Sequence, residues 1–329
     1  VMMRTQVPLS LLVFSVLVFQ LPPVAHASGG AEWLLRLSQA LAATSFHGDL
    51  VYSEGDQWQS LMISQSLVDG QPRRQTEFLT GEPRQQLRQG STLLCLHNGP
   101  HRAGLMPDVF KGFEQLTASR LDSILASYSL VVVDSPQRIA GRSAVQVNLM
   151  PDTSDRFAYH LWLDQDTGLL LGSDLLDTSG RLLQRFRFAR LEIGADTPIS
   201  PSETELHGHQ IAVVGADDVV TYPESGWWPS FVPSGYEPVR YARSADSSDV
   251  WHERVLFSDG LASFTLFVDE VPDAGLPDLS QRWNATAAVV RHVTDGDRHY
   301  RITLVGELPP AVVADIAASV RPDDHIAHR

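Results

Sequence analysis

The stretch Phe157-Ala158-Tyr159-His160-Leu161-Trp162-Leu163-Asp164-Gln165-Asp166-Thr167-Gly168-Leu169-Leu170-Leu171-Gly172-Ser173-Asp174-Leu175-Leu176 decides the fold class. Two runs rich in aromatic and aliphatic residues flank Asp164-Gln165-Asp166-Thr167-Gly168. In such a turn Asp bonds the backbone that follows and Gly takes a positive φ. Runs this short, joined by so short a turn, must lie side by side and antiparallel. In the first run Phe157, Tyr159, Leu161 and Leu163 share one face. Ala158, His160 and Trp162 share the other, so neither face is cleanly polar. A sheet of this kind needs cover on both sides.

The pattern continues outward. Downstream, Asp177-Thr178-Ser179-Gly180 leads into Arg181 to Ile193; upstream lie Leu130 to Asp134 and Ser143 to Leu149. Residues 46–98 break into Phe46 to Glu54, Gln57 to Val68, Arg73 to Thr80, Gln85 to Gln89 and Thr92 to His97. Gly55-Asp56, Asp69-Gly70, Gly81-Glu82-Pro83 and Gly90 separate them, which predicts a β-meander. Ahead of it, Leu34, Leu37 and Leu41 recur at helical spacing and predict an amphipathic helix over Ala31 to Thr44. Residues 101–127 interrupt the strands with helix, notably Leu121 to Tyr128.

Asp196 to Glu205 has the Pro, Ser and Thr content of a linker. The organisation expected is a signal segment over 1–27, a large domain over 28–195, a linker over 196–225 and a small domain over 226–329. The small domain is read as strands at Val239 to Arg243, Val250 to Phe257, Ala262 to Val268, Ala287 to Val293 and Arg298 to Val305. A last helix, Ala311 to Val320, follows Pro309 and Pro310. Runs of antiparallel strands with segregated helices make the class α+β.

Residues 1–27 read as a secretory signal, with Arg4, an apolar run from Val7 to Leu21, and Ala25-His26-Ala27 as the cleavage pattern. The only cysteine is Cys95, far from that point. This predicts an exported molecule without a lipid anchor and forbids an intramolecular disulfide. The chain has 329 residues, 43% hydrophobic and 19% charged, a composition that excludes a disordered or multi-span membrane chain. Its formal charge of -14 disfavours nucleic acid and points to a partner surface that is basic or apolar.

No phosphate-binding glycine loop and no nucleophile elbow occurs, and no catalytic residue, cofactor or metal is assigned. The best metal pattern is His207-Gly208-His209, with Asp217-Asp218 downstream, but zinc needs a third and fourth ligand, and at the end of the linker these read as exposed polar residues. Asp295-Gly296-Asp297 reads as a hairpin turn, and Cys95 as a small buried hydrophobe. Arg181, Arg185, Arg187 and Arg190 form either an anion or partner stripe or a solvated strand face that guards an edge. The aromatic content is more informative. Tyr52, Trp58, Met62, Phe157, Tyr159, Leu161, Trp162, Phe186 and Phe188 predict a sheet curled as an open half-barrel around a helix, enclosing an apolar ligand cavity.

Several segments together resemble the MucB/RseB family of periplasmic regulators of the envelope-stress sigma factor. They are Ser45-Phe46-His47-Gly48-Asp49-Leu50-Val51-Tyr52, Gly141-Arg142-Ser143-Ala144, Trp162-Leu163-Asp164 with Thr167-Gly168-Leu169-Leu170-Leu171, Leu175-Leu176-Asp177, and Phe257-Ser258-Asp259-Gly260-Leu261-Ala262-Ser263-Phe264. The resemblance implies a large lipoprotein-carrier-like (LolA-like) domain, a curved antiparallel sheet around helices, and a small C-terminal domain. It further implies binding to the periplasmic part of a membrane-spanning anti-sigma factor of the RseA/MucA type. That binding would shield the factor from site-1 proteolysis until lipid, lipoprotein or lipopolysaccharide signals relieve it. On this reading the apolar set receives acyl chains, and Trp227, Trp228 and Phe231 with Arg185 and Arg187 meet the partner. Packing between the domains is the competing role for the tryptophan pair. A homo-oligomer is left open. The alternative is a periplasmic lipid or lipoprotein carrier with no signalling partner; an enzyme is the weakest reading.

Overall fold

The computed structural model describes residues 27–90, 92–97, 109–110, 112–114, 116–194, 207–212, 226–245, 251–273 and 277–323. The signal segment expected over 1–27 lies outside them apart from Ala27. Helix α1 (Ala27–Ala43) precedes β1 (Phe46–Glu54), β2 (Gln57–Val68), β3 (Gln71–Phe78), β4 (Arg84–Gln89) and β5 (Thr92–His97). After α2 (Ala118–Leu125) come β6 (Tyr128–Ile139), β7 (Arg142–Pro151), β8 (Ala158–Asp164), β9 (Leu170–Leu176), β10 (Leu182–Ile193) and β11 (His207–Ala212). These strands make one 11-stranded sheet in the order β11-β5-β4-β3-β2-β1-β10-β9-β8-β7-β6. Two meanders meet at its centre, where β1 pairs antiparallel with β2 on one side and β10 on the other.

Helix α1 touches both β3 and β6, near one end of the sheet and at the other, so the sheet curls around the helix. The curl stays unclosed, with β11 and β6 as its edges. Leu34, Leu37 and Leu41 are the buried stripe of α1, as their spacing predicts. The helix starts earlier than that stripe suggests and runs through Gly29 and Gly30. A Cβ on Gly30 would lie 2.6 Å from Leu130, so the missing side chain lets the helix lie directly on β6. Inside the stretch read as a linker, His207–Ala212 pairs with β5; the rest of 196–225 lies outside the described residues.

A second unit follows: β12 (Gly226–Pro229), β13 (Glu237–Ala245), β14 (Trp251–Ser258), β15 (Ser263–Val271), β16 (Leu279–Trp283), β17 (Thr286–Asp295), β18 (Arg298–Gly306), α3 (Pro310–Ser319) and β19 (Val320–Asp323). Six of these strands form a sheet in the order β13-β14-β15-β18-β17-β16, and β12 pairs with β19. Val313, Ile316 and Ala317 of α3 pack with Val289, Ile302 and Leu304 into a separate core. The molecule is therefore a two-domain α+β protein dominated by antiparallel sheet. Strands β16 and β19 were not legible in sequence: every residue of β16 is exposed, so no alternation marks it.

Candidate functional site

The inner face of the curved sheet is where an enclosed apolar ligand was expected. Tyr52, Tyr159, Leu161, Phe186 and Phe188 do point inward, for Tyr52 stands opposite Phe186 on β10 and Phe186 meets Phe188 edge to face at 6.2 Å. Their inner space is occupied. Leu34, Leu37 and Leu41 of α1, Phe110 and Phe113, and Leu121 and Ile124 of α2 all pack into the same cluster. Burial and the neighbouring Glu54 and Glu307 push the Tyr52 phenol up, so it is a neutral hydroxyl. Among the described residues the hollow is thus largely a packed core.

Four of the expected cavity residues sit elsewhere: Trp58, Met62 and Trp162 on the outer face, and Phe157 at one end of the sheet. Trp58 and Met62 alternate with the buried Leu61 and Ile63 and so belong to the outer face, where Trp58 is 68% exposed. Trp162 is also on the outer face, yet it is buried. The Arg187 guanidinium reaches across Gly172 to lie 3.7 Å from the centre of its ring. Its indole N–H donates to Gln137 at 2.6 Å, Gln137 donates to Gln146, and Gln146 to Asn148. Around Trp162 the outer face is covered by these long polar side chains. Arg185 and Arg187 share Asp174, at 2.6 and 2.9 Å, so the two stripe arginines expected to meet a partner already hold a carboxylate.

Phe157 lies at the seam between the domains, packed with Leu175, Leu183 and Ala285. Two turns of the small sheet insert here. The β16–β17 tip, Asn284-Ala285, buries Ala285 in that cluster, and Asn284 sits against Gly55 of the β1–β2 turn. The β14–β15 tip, Asp259 to Ala262, sends Leu261 into the core of the large domain. Beside it Arg156, 1% exposed, donates to Asp259 at 3.3 Å, to Asp155 at 2.8 Å and to the Ser234 carbonyl at 2.5 Å. Asp259 also accepts the main-chain N–H groups of Leu261 and Ala262. Burial pushes its carboxyl above the usual range despite these donors. Burial also works against the Arg156 charge, but Asp155 and Asp259 outweigh it and hold the guanidinium protonated. No spacing rule marks Arg156, and Asp259-Gly260 figures in the sequence only as part of a segment resembling the family.

Trp227 and Trp228, expected on a partner surface, are 3% and 8% exposed. They pack inside the small domain, Trp227 on Tyr300 at 4.6 Å and Trp228 on Phe257 at 5.3 Å. Neither role considered for them applies, because β12 runs beside β19 and turns both rings into that core. Phe231, two residues past β12, is 46% exposed.

A recess opens at the β3–β4 end of the inner face, between Arg74, Thr76, Gln86 and Arg88 on the sheet and Val109 and Phe110 opposite. Arg74 donates to Glu114 and, at 3.0 and 2.7 Å, to Gln65; Arg88 donates to Glu114 at 2.5 Å. Gln65, fully buried, donates to the Leu41 and Thr44 carbonyls at the end of α1. Burial raises the Glu114 carboxyl, but the two guanidiniums outweigh it and hold the group below the usual range. No group of three or more His, Cys, Asp or Glu placed to hold a metal occurs among the described residues. The His207 and His209 side chains lie outside them.

Residues 29–213 match the MucB/RseB N-terminal domain, and residues 221–321 match the MucB/RseB C-terminal domain. The sigma factor AlgU regulatory protein MucB of Pseudomonas aeruginosa is 29% identical over 305 residues, covering 92% of this chain and 93% of that protein. The sigma-E factor regulatory protein RseB of Escherichia coli K12 is 24% identical over 268 residues, covering 80% and 81%. Among solved structures, the complex of Pseudomonas aeruginosa MucA and MucB superposes with a TM-score of 0.70 at 27% identity, covering 90% of this chain and 99% of that one. A structure of MucB superposes with a TM-score of 0.62 at 27% identity, covering 90% and 98%. With both of its domains matched in order along nearly all of the sequence after residue 28, the chain belongs to the MucB/RseB family.

Proposed function

We propose that the protein is a periplasmic negative regulator of an envelope-stress sigma factor. It binds the periplasmic region of a membrane-spanning anti-sigma factor and shields it from the first protease of the release pathway. Lipid, lipoprotein or lipopolysaccharide entering the curved sheet relieves the shielding. The observation that carries this reading is the likeness, across both domains, to a relative whose solved structure is a complex with MucA. The linkage is reciprocal: a lipid that prefers the partner-free state weakens partner binding by the same coupling energy, about 1–3 kcal/mol in typical cases. The inner face is already filled by α1, α2 and the Phe110–Phe113 region, which supports a coupled response. A ligand entering there must displace protein groups, and that changes the molecule a partner meets. Exposed Phe231 is the aromatic contact on the small domain proposed for the anti-sigma factor.

The test mixes the protein with the periplasmic region of its cognate anti-sigma factor, adds the protease, and follows cleavage with and without lipid. Protection that lipid reverses is the expected result. Cleavage unchanged at saturating protein overturns the regulator reading. Phe231→Ala is expected to weaken protection while leaving the fold intact, as its side chain is half exposed.

A further inference from the structure

At the recess, Arg74 and Arg88 stand directly opposite each other on β3 and β4 and share one carboxylate, that of Glu114. Arg84, also on β4, stacks over Phe78 at 4.2 Å on the same inner face. Strands β3 and β4 thus bring three guanidiniums to this end of the hollow, and two of them share the Glu114 carboxylate. Paired guanidinium forks suit phosphate even better than carboxylate, because phosphate offers more charge and three acceptor oxygens. Phe110, four residues before Glu114 in sequence, lies beneath Arg74 at 4.4 Å and meets Phe46 and Phe186 edge to face at 5.9 and 6.2 Å. Two residues four apart in sequence thus put an apolar group in the sheet's hollow and an anion on the arginines at its mouth. That pairing is the chemistry of an anionic amphiphile.

We propose that Phe110 and Glu114 are a built-in stand-in for a phosphate-bearing amphiphile. The phosphate replaces Glu114 on Arg74 and Arg88, and the chain replaces Phe110 against Phe46 and Phe186. Glu114 is then a competitor within the molecule, and the recess is the head-group end of the ligand site. This rests on the lipid-receiving role proposed above for the curved sheet.

The test titrates dodecyl phosphate, dodecyl maltoside and inorganic phosphate into the full chain, Glu114→Gln and Arg88→Gln, by calorimetry. Removing the competing charge is expected to tighten dodecyl phosphate about tenfold, and removing one fork to weaken it about tenfold. Dodecyl maltoside should bind all three forms alike, and inorganic phosphate more weakly than dodecyl phosphate. A purely structural role for Glu114 gives no tightening, so unchanged or weaker binding to Glu114→Gln overturns the proposal. If that variant does not fold, Arg88→Gln carries the test, and equal losses for both dodecyl compounds overturn it. Inorganic phosphate binding as tightly as dodecyl phosphate overturns the exchange of Phe110. If neither dodecyl compound binds the unaltered chain, the lipid-receiving role itself falls, whereas both binding with no response to Glu114→Gln removes only the stand-in.

Discussion

Asp164 shows how much one carboxylate fixes. Its oxygens accept the Thr167 main-chain N–H at 2.9 Å, the Thr167 hydroxyl at 2.8 Å and the Arg142 guanidinium at 2.6 and 3.2 Å. Burial opposes its charge, but these donors outweigh that and hold the carboxyl below its usual range. A carboxyl depressed on folding adds stability above its unfolded pKa of roughly 4, and that stability is lost as pH falls through the lower folded value. Asp164→Asn is expected to cost about 2 kcal/mol at pH 7, read from urea midpoints, with the gap to the unaltered chain narrowing in acid. A gap that does not change with pH would show that the charge contributes nothing. This turn was readable because its contacts are local: Asp164, Thr167 and Gly168 carry their chemistry within five residues. The Arg187 cover on Trp162 was not readable, because it depends on which strand lies two places away in the sheet.

At the scale of elements, β9 shows how the outer face is covered around Trp162. Gly172 lies between Trp162 and Arg187 in register, and a Cβ there would come within 2.5 Å of Arg187 and 2.8 Å of the Phe186 carbonyl. Gly172→Ala is expected to destabilise by about 1–3 kcal/mol, since overpacking here displaces backbone as well as a side chain. Added exposure of Trp162 to acrylamide quenching would accompany it. Sequence alternation identified most strands because one side of each is buried, and it failed where that asymmetry is missing. Leu279-Ser280-Gln281-Arg282-Trp283 pairs with β17 while both its faces meet solvent. Trp227 and Trp228 show a related limit. Their hydrophobicity foretold burial, but the choice among core, seam and surface depended on β19, nearly a hundred residues further along.

For the whole molecule, the domain seam is the feature that sequence concealed most completely, since its parts come from segments far apart along the chain. Arg156 holds Asp259 and the Ser234 carbonyl, Arg120 donates to the Gly260 carbonyl at 3.0 Å, and Leu261 and Ala285 fill apolar sites. Removing one partner of a buried ion pair costs about 3–5 kcal/mol because the other charge is left stranded. Arg156→Ala is therefore expected to uncouple the domains, giving two calorimetric transitions and a larger radius of gyration by solution scattering. A single transition with unchanged dimensions would locate the coupling in Leu261 and Ala285 instead.

The pairing of β1 with β10 carries a consequence for how the chain is made. Phe46 lies opposite Ile193, almost half the chain away, and this pairing joins the two halves of the sheet at its centre. Closing such a loop has to come before the contacts that reward it, which makes folding slow. As the chain emerges from its N-terminus, β1 to β5 have no central partner until β10 appears, and the slot for Leu261 stays open longer still. During that interval an unpaired strand edge and apolar surface are exposed together, the combination most prone to aggregate. Biogenesis of this protein is thus expected to depend on holding chaperones, and pulse-labelled chains ending before residue 182 should remain protease-sensitive while those extending past Leu261 become resistant.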